Sequence, residues 1–279
     1  MALEPSPKRA IVLLDGQNLY HAARHAFGYT YPNFDPIALA SAVSNAHGWE
    51  LAEVRFYTGV PDREDDPFWH HFWTNKLAHL GRRGATIYSR SLVYRNKVVR
   101  LPGGAEHSYL SCEENGIDVR LAIDVIGLAW QNAYDVAVIF SQDQDLSEVA
   151  REIRDIARSQ DRWLKMASAY PVSPVTQNRK GINWTDWIRI YRATYDACLD
   201  PRDYRPKAAP GSTPLQPDSK NLPSRLLLAV IKCPGPASHK GLCKLVHVYQ
   251  CYPRARSPNS ANSPSYGNGV TSSPMCAGA

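Results

Sequence analysis

Aspartates next to apolar segments are the residues of this sequence whose type and spacing could do chemistry. Asp15 follows the first apolar run of the chain, Asp143 and Asp145 follow a later one, and Asp118 opens a predicted helix between them. Four carboxylates in one crevice would repel each other unless a cation lay among them, and hard oxygen ligands suit Mg²⁺ or Mn²⁺. The pattern therefore predicts a divalent metal site at Asp15, Asp118, Asp143 and Asp145.

Helix capping is the alternative role for two of these side chains. Asp118 could be only the N-cap of its apolar helix, and Asp145 with Glu148 three residues later matches a capping box. Asp15 and Asp143 are expected not to cap helices, because each ends a predicted strand. The metal hypothesis therefore depends mainly on Asp15 and Asp143, and both roles stay open for the other two.

Two further side chains are predicted to support the site. Asn18, one turn along the first helix, could orient a water or a phosphate through its amide. Asp124 lies on a different helix face from the metal ligands and is expected to pair with Arg120, one turn away. His21 and His25 share a face with Asn18, where they could bind a softer metal or simply form a polar helix face.

The elements that must position these side chains alternate between strand and helix. The apolar spacing predicts strands at 9–14, 51–58, 85–89, 92–101, 136–141 and 163–168, and helices at 17–27, 36–46, 66–80, 118–131, 146–159 and 184–199. The two strands after residue 84 could also be one bent strand. This alternation is typical of the α/β class, with a mostly parallel sheet flanked by helices in a Rossmann-like, three-layer arrangement. Ligands of such sheets bind outside the carboxyl ends of the strands, where Asp15 and Asp143 are expected.

Composition divides the chain into a leader at 1–8, an α/β domain at 9–199 and a Pro/Ser-rich tail at 200–279. The tail holds twelve of the 21 prolines, with ten Lys and Arg against three Asp and Glu, and is expected to be largely disordered. The body is near neutral, so any phosphate-binding surface on it must be local. In the tail, four possible zinc ligands recur every fourth residue: His239, Cys243, His247 and Cys251. This spacing would suit zinc if the segment were helical, but nearby prolines and β-branched residues disfavour a helix.

Several classes of protein are disfavoured by composition. No apolar run approaches the ~18 residues of a membrane-spanning helix, and the N-terminus lacks the cleavage site of a secretory signal, so a cytoplasmic location is expected. The six cysteines form no CxxC pair and do not indicate a disulfide framework. The sequence also lacks a Walker loop, a GxGxxG fingerprint and a GxSxG elbow, which leaves no recognisable motif for a nucleotide or flavin cofactor.

Three short segments carry the acidic residues: D-G-Q-N at Asp15–Asn18, G-I-D-V-R-L-A-I-D at Gly116–Asp124 and S-Q-D-Q-D-L at Ser141–Leu146. In this order and spacing they resemble the signatures of the NYN domain, a branch of the PIN-like nucleases. The resemblance spans roughly residues 9–170. Gln142 and Gln144 depart from the family's usual form, where Gly and a small residue are common, and this departure bears on how a phosphate reaches the metal.

The resemblance implies metal-assisted hydrolysis of RNA at an acidic site formed by Asp15, Asn18, Asp118, Asp143 and Asp145. Asp15, Asp118 and Asp143 would be the catalytic residues. They would hold one or two Mg²⁺ or Mn²⁺ ions that activate a water and neutralise charge on the scissile phosphate. Asp145 would be a further ligand or a support for the others.

A basic stretch is the candidate substrate-binding surface. From Lys76 to Arg100 the sequence has seven Lys and Arg and no acidic residue, and Tyr88 and Tyr94 could stack bases. A solvated hairpin face is the alternative interpretation. The contacts predicted for RNA come from Arg82, Arg83, Arg90, Arg95 and Lys97.

Two further functions stay open at this point. The whole chain also resembles bacterial NYN-type proteins assigned as 6-hydroxy-3-succinoylpyridine 3-monooxygenases of nicotine breakdown. That resemblance implies NADH, with or without FAD, as the cofactor and a small pyridine carboxylic acid as the substrate in place of RNA. Arg or Lys would then lie near the carboxylate of this substrate, and Trp or Tyr near its pyridine ring. The other alternative is an RNA-binding module without turnover. Each of these functions allows an oligomer.

Overall fold

The computed structural model describes residues 2–100, 106–207 and 249–250. The strands within them are β1 (Lys8–Asp15), β2 (Trp49–Val60), β3 (Thr86–Ser91), β4 (Val93–Arg100), β5 (Glu106–Glu113), β6 (Val136–Phe140), β7 (Lys165–Pro171), β8 (Asp186–Ile190) and β9 (Tyr249–Gln250). The helices are α1 (Gly16–Phe27), α2 (Pro36–Ala46), α3 (Pro67–Arg82), α4 (Ile117–Trp130), α5 (Ser147–Ser159) and α6 (Arg192–Asp196), and a 3-10 turn (Gln144–Leu146) precedes α5.

The main sheet has six strands in the order β3-β2-β1-β6-β7-β8, and every neighbouring pair is parallel. Successive residues of the central strand β1 face two separate cores. Val12 and Leu14 belong to the core under α1, α2 and α3, whereas Ile11 and Leu13 belong to the core under α4 and α5. The predicted α/β fold with a mostly parallel sheet between two helical layers is therefore confirmed.

Aspartate followed by proline begins two of the helices. Asp35 Oδ1 accepts hydrogen bonds from the N–H groups of Ile37 (2.9 Å) and Ala38 (3.3 Å). Pro36 fits the first turn because the N–H that it lacks would have no helical partner there. Asp66 caps α3 in the same way. The predicted start of the second helix is thus confirmed.

The last predicted helix, at 184–199, is wrong. This segment forms β8, which extends the sheet beyond β7, and then the short helix α6. Ile188 and Ile190 alternate with exposed residues, which is the period of a strand, and the Ile190 carbonyl accepts a hydrogen bond from the N–H of Val172 (2.9 Å). Pairing with the edge of the sheet has overridden the helical spacing of the nearby aromatic residues.

A second, smaller sheet contains a strand, β5, that the sequence pattern did not predict. β5 pairs antiparallel with β4, and β9 joins β5 on its other side. β3 and β4 are separate strands in different sheets, so the alternative of one bent strand is wrong. Between them, the N–H of Leu92 donates to the carbonyl oxygen of Val60 (3.0 Å), which turns the chain out of the main sheet.

Lys76 is buried in spite of its charge. Its ammonium group donates to two backbone carbonyl oxygens, at 3.1 and 2.6 Å, and lies 3.4 Å from the Asp200 carboxylate. The ring centroids of Phe34, Phe72 and Tyr204 lie 5.1, 5.9 and 5.4 Å away. The prediction that Lys76 belongs to an exposed basic stretch is therefore wrong.

Contacts with Lys76 extend the packed body past residue 199, because Asp200 and Tyr204 are both held against α3. The rest of the predicted tail lies in 208–248 and 251–279, outside the described residues, and so does the spacing that suggested zinc at His239, Cys243, His247 and Cys251. Among the described residues, no helix combines the length and the apolar character needed to cross a membrane.

Burial lowers the pKa of Lys76 to about 8, an effect that Asp200 only partly offsets. An unfolded lysine titrates near pH 10.4, so the unfolded chain binds more protons than the folded one between these values, and stability gained from this group rises with pH. We expect wild type to gain roughly 1–2 kcal/mol of unfolding free energy, relative to Lys76→Met/Asp200→Asn, between pH 7 and 9.5 in urea titrations.

The matched control is Lys165→Met. Lys165 is partly exposed and forms an ion pair with Asp186, so this variant also removes one lysine but not a buried one, and it should not reproduce the effect of the Lys76 variant. Parallel profiles for wild type and the Lys76 variant would contradict the buried ammonium group.

Candidate active site

The carboxyl ends of β1 and β6 lie side by side. Leu14 of β1 is in register with Phe140 of β6, and both strands run in the same direction. Asp15 and Asp143 therefore follow neighbouring strands at the same edge of the sheet, where parallel sheets bind their ligands.

Asn18 connects these two strand ends. Asp15 Oδ1 accepts a hydrogen bond from the backbone N–H of Asn18 (3.0 Å), and Asn18 Oδ1 accepts one from the backbone N–H of Gln142 (3.1 Å). The side-chain oxygen of Asn18 thus helps to join the two sides of the acidic crevice, the space beside Asp15 and Asp143 at this edge of the sheet. Its NH₂ group is the part of the amide that suits contact with an anion.

The expectation that Asp15 and Asp143 do not cap helices is wrong. Asp15 is the N-cap of α1, and Asp143 Oδ1 accepts a hydrogen bond from the N–H of Asp145 (3.0 Å) at the start of the 3-10 turn. The reason is that Asp15 is both the last residue of β1 and the residue before α1, and that only two residues separate the end of β6 from Asp143, which begins the 3-10 turn. A capping carboxylate keeps its negative charge, and this role is compatible with metal binding.

The capping roles considered for Asp118 and Asp145 are not observed. Gly116, with φ of 70°, is the N-cap of α4, and Asp118 lies exposed in the first turn. The N-cap of α5 is Leu146, without a side-chain hydrogen bond, so Asp145 and Glu148 do not form a capping box. Asp145 is exposed beside Asp143.

Glu114 is a residue of this crevice that the sequence analysis missed. Its Oε1 atom is enclosed and has no hydrogen-bond partner among the described residues, and a Cβ atom at Gly59 would lie 3.1 Å from it. Burial, followed by the negative charges of Asp15 and Asp118, raises the pKa of Glu114 to about 9. Two consecutive glutamates just before α4 were the sequence signal that could have revealed it.

A divalent cation would suit this set of donors, because it would pair with the enclosed oxygen of Glu114 and offset the repulsion from its neighbours. The side chains do not yet converge. Within the described residues, no three His, Cys, Asp or Glu side chains are close enough together to hold one ion. The donor chemistry thus fits Mg²⁺ or Mn²⁺, and the carboxylates would have to draw together around the ion.

Gln142 and Gln144, which depart from the usual family pattern, hold a loop against the crevice. Gln142 Nε2 donates to the carbonyl oxygens of Asn178 (3.2 Å) and Lys180 (2.8 Å). Gln144 Nε2 donates to the carbonyl oxygen of Gly181 (3.0 Å). The long side chains therefore bind the segment between β7 and β8, which becomes one wall of the crevice.

Asp124 has a structural role in the crevice's support. Its Oδ1 lies 2.9 Å from Arg120 Nη2, the partner that helical spacing predicts. Its Oδ2 lies 3.3 Å from Arg55 Nη1 and accepts a hydrogen bond from the Tyr57 hydroxyl (2.7 Å). These contacts fasten α4 to β2, and burial with this carboxylate raises the pKa of Tyr57.

The basic residues predicted to bind the substrate do not form one continuous surface. Arg82 and Arg83 lie at the end of α3, close to the start of β3, and Arg83 Nη1 is 2.6 Å from Asp35 Oδ2. Arg83 therefore helps to fix the start of α2.

Arg90 lies at the opposite end of β3, where its Nε donates to the Tyr88 hydroxyl (2.7 Å). A Cβ atom at Gly116 would come within 2.8 Å of Arg90 Nη1, so this guanidinium group lies beside the start of α4. Arg95 is exposed on β4, and the side chain of Lys97 lies outside the described part of the structure. Of this set, Arg90 approaches the acidic crevice.

A parallel sheet with carboxylates at its carboxyl edge is the arrangement of a PIN-like nuclease domain. The family model for the NYN domain matches residues 9–159, more than half of the chain. The protein therefore belongs to the NYN-domain family, which lies within the PIN-like nuclease superfamily.

Comparison with individual proteins gives more distant matches. The chain is 25% identical over 154 residues to the low amplitude and bright protein LabA of Synechococcus elongatus, covering 55% of this chain and 71% of the relative. A Vibrio parahaemolyticus protein of unknown function is 18% identical, with a TM-score of 0.42 over 71% of this chain and 99% of that one. An isopentenyl phosphate kinase has a TM-score of 0.24 at 9% identity, over 58% of this chain and 90% of that one. Neither structural match is close enough to carry an argument.

Replacing Glu114 tests whether the crowded carboxylates lie within reach of one cation. In a chelating buffer, we expect Glu114→Gln to be more stable than wild type by about 1–3 kcal/mol, because folding no longer buries an acid among like charges. Added Mn²⁺ should raise the melting temperature of wild type by several degrees and that of the variant by less.

Glu50→Gln is the control, because Glu50 is exposed at the start of β2, at the opposite edge of the sheet. If wild type and Glu114→Gln melt together in chelator and gain equally from Mn²⁺, Glu114 is not part of a cation site.

Proposed function

We propose that the protein is a divalent-metal-dependent ribonuclease that hydrolyses phosphodiester bonds at the carboxyl ends of β1 and β6. The main support is the enclosed Glu114 carboxylate of an NYN domain, which lies near Asp15 and Asp118 and whose Oε1 atom has no hydrogen-bond partner among the described residues. Burying like charges together costs stability, and a cation with a bound phosphate is the ligand that would offset that cost.

Asp15, Glu114, Asp118 and Asp143 would hold the ion. When bound, Mg²⁺ or Mn²⁺ supplies a water of lowered pKa and offsets charge on the scissile phosphate. Since Asp15 and Asp143 each begin a helical turn, one oxygen of each carboxylate accepts a backbone hydrogen bond, which limits how far these two ligands would have to move to meet the ion.

Three other residues would act on the substrate directly. The NH₂ group of Asn18 would donate to a phosphate oxygen, because its carbonyl oxygen is already used by Gln142. Asp145, exposed next to Asp143, would accept the proton of the attacking water. Arg90, near the start of α4, would hold a phosphate on the β3 side of the crevice.

RNA binding without turnover is the second candidate function. It is favoured by the loop that Gln142 and Gln144 hold against the crevice, since this wall restricts how a phosphate can approach the carboxylates. The two functions share the binding surface and differ only in whether the bond is cleaved.

Charge-neutral variants of the two strand-end aspartates test the proposal. We expect Asp15→Asn and Asp143→Asn each to lower the rate of Mn²⁺-dependent cleavage of labelled single-stranded RNA by about 10²-fold or more. Asparagine keeps an oxygen that can accept the capping hydrogen bond, so the melting temperature in chelator should change little. Asp155→Asn, on the exposed face of α5, should cleave like wild type.

Other outcomes would point elsewhere. RNA binding that both variants and wild type share, without cleavage, would replace the nuclease with the binding module. Flavin absorbance in the purified protein, or NADH oxidation driven by a hydroxypyridine, would favour the monooxygenase and contradict the proposal.

A further inference from the structure

An open pocket of about 840 Å³ lies beyond the carboxyl ends of β7 and β8. Cavities that bind organic ligands commonly enclose about 300–1,000 Å³, so this one is large enough for a nucleotide. Its walls come from the end of α1, the segment after β7, and the junction of β8 with α6. The lining residues that matter here are Phe27, Arg179, Arg189, Tyr191 and Arg192.

The pocket lies at the same edge of the sheet as the acidic crevice. β6, β7 and β8 are parallel neighbours, so their carboxyl ends face the same way, and two strand spacings, roughly 10 Å, separate β6 from β8. One loop also joins the two sites. Gln142, in the crevice, binds the carbonyl oxygens of Asn178 and Lys180, and Arg179 between them lines the pocket.

The pocket is positively charged. Three arginines line it and no carboxylate is among its described lining residues, although one of the three, Arg192, pairs with Asp196 behind it (Nε to Oδ2, 3.6 Å). Arg179 is fixed by hydrogen bonds to the carbonyl oxygens of Thr176 (3.0 Å) and Pro174 (2.5 Å), and no described residue supplies a counter-ion for its charge. The side chain of Arg189 is exposed and has no hydrogen bond or ion pair with any described residue. The body of the protein is near neutral, so this is a local anion-attracting surface.

Aromatic rings accompany the charges. Tyr191, which lines the pocket, is 58% exposed. The Arg192 guanidinium lies 5.7 Å from the ring of Phe27 and 5.4 Å from that of Tyr29, and its Nη1 donates to the Phe27 carbonyl oxygen (3.0 Å). Arginine and an exposed aromatic ring together are the elements that bind single-stranded nucleic acid, by phosphate contact and base stacking.

We propose that this pocket binds one nucleotide of the RNA strand that is cleaved at the carboxylates, with its phosphate on Arg179 and Arg189 and its base on Tyr191. That the ligand is part of the cleaved RNA strand rests on the proposed function. That the ligand is a phosphorylated nucleoside is inferred from the arginines and the exposed ring of the pocket itself. From the carboxylates, the strand then runs along the carboxyl edge from β6 towards β8.

Binding measured without cleavage tests this assignment. The probe is a fluorescent single-stranded oligoribonucleotide, followed by anisotropy in EDTA over a range of salt concentrations. We expect Arg189→Ala to raise the Kd about tenfold and to reduce the salt dependence by roughly one phosphate contact. Tyr191→Ala should raise the Kd roughly 5- to 100-fold, and Tyr191→Phe should bind like wild type, because the ring and not the hydroxyl stacks.

The matched control is Arg158→Ala, which also removes one exposed arginine, from the last turn of α5, where it is paired with Asp155. If Arg158→Ala weakens binding as much as Arg189→Ala, the effect is that of net charge and the pocket is not the site. Wild type that binds no RNA would overturn the proposal as well. Since Arg189 has no described partner, its removal should leave the melting temperature unchanged, and a loss of binding can be assigned to the contact.

Two further measurements separate the possible ligands and the two proposals. Adenosine or uridine 5′-monophosphate that binds as tightly as the oligonucleotide, with the same loss in Arg189→Ala, would mean a free nucleotide and overturn the assignment to a strand. In Mn²⁺, a raised KM with unchanged kcat in Arg189→Ala supports both proposals. Pocket-dependent binding without cleavage overturns only the nuclease, and cleavage that is indifferent to Arg189 and Tyr191 overturns only the pocket.

Discussion

The parallel pairing of β1 with β6 is the contact on which the candidate site depends. These strands are far apart in the sequence, and their register sets Leu14 beside Phe140. Because β1 is buried on both faces, a shift of its register by one residue would exchange its two cores, which fixes the pairing strongly. Asp15 and Asp143 therefore meet at one edge of the sheet as a consequence of core packing. A single hydrogen bond, from the N–H of Gln142 to Asn18 Oδ1, then joins the two strand ends.

Electrostatic repulsion is the cost of this arrangement. Two other carboxylates near the sheet are compensated: Asp124 by Arg55 and Arg120, and Asp135 by Arg9. No described cation compensates Glu114, and the negative charges of Asp15 and Asp118 act on its carboxyl group. Sites that bind charged ligands commonly keep an unfavourable group of this kind, because the ligand that relieves it gains affinity from the relief. The contrast with Asp124 is the physical reason for assigning the ion to the Glu114 side of the crevice.

Sequence reasoning identified the parts of the site that follow from regular structure. Asp15 and Asp143 could be predicted because buried strands are recognisable and their carboxyl ends share an edge. Glu114 could not, because it lies in the connection between β5 and α4, where no periodicity fixes the direction of a side chain. The helix predicted at 184–199 failed because Ile188 and Ile190 fit a strand as well as a helix, and only the open edge of β7 decides between them. The burial of Lys76 could not be predicted, because it depends on carbonyl oxygens and aromatic rings that are distant in sequence.

The distribution of compensated and uncompensated arginines gives the crevice a direction. On the β3 side, Arg120 is bound to Asp124, so its charge is already neutralised, and Arg90 is the arginine that lies beside the crevice. On the β8 side, Arg189 has no carboxylate partner among the described residues, and the loop carrying Arg179 is bound to the crevice through Gln142. An anionic strand drawn to the sheet edge would meet carboxylates at its centre, Arg90 on the β3 side, and two arginines, Arg179 and Arg189, on the β8 side. The two glutamines that depart from the family pattern thus make one wall of the crevice from the loop that bears the positive charge.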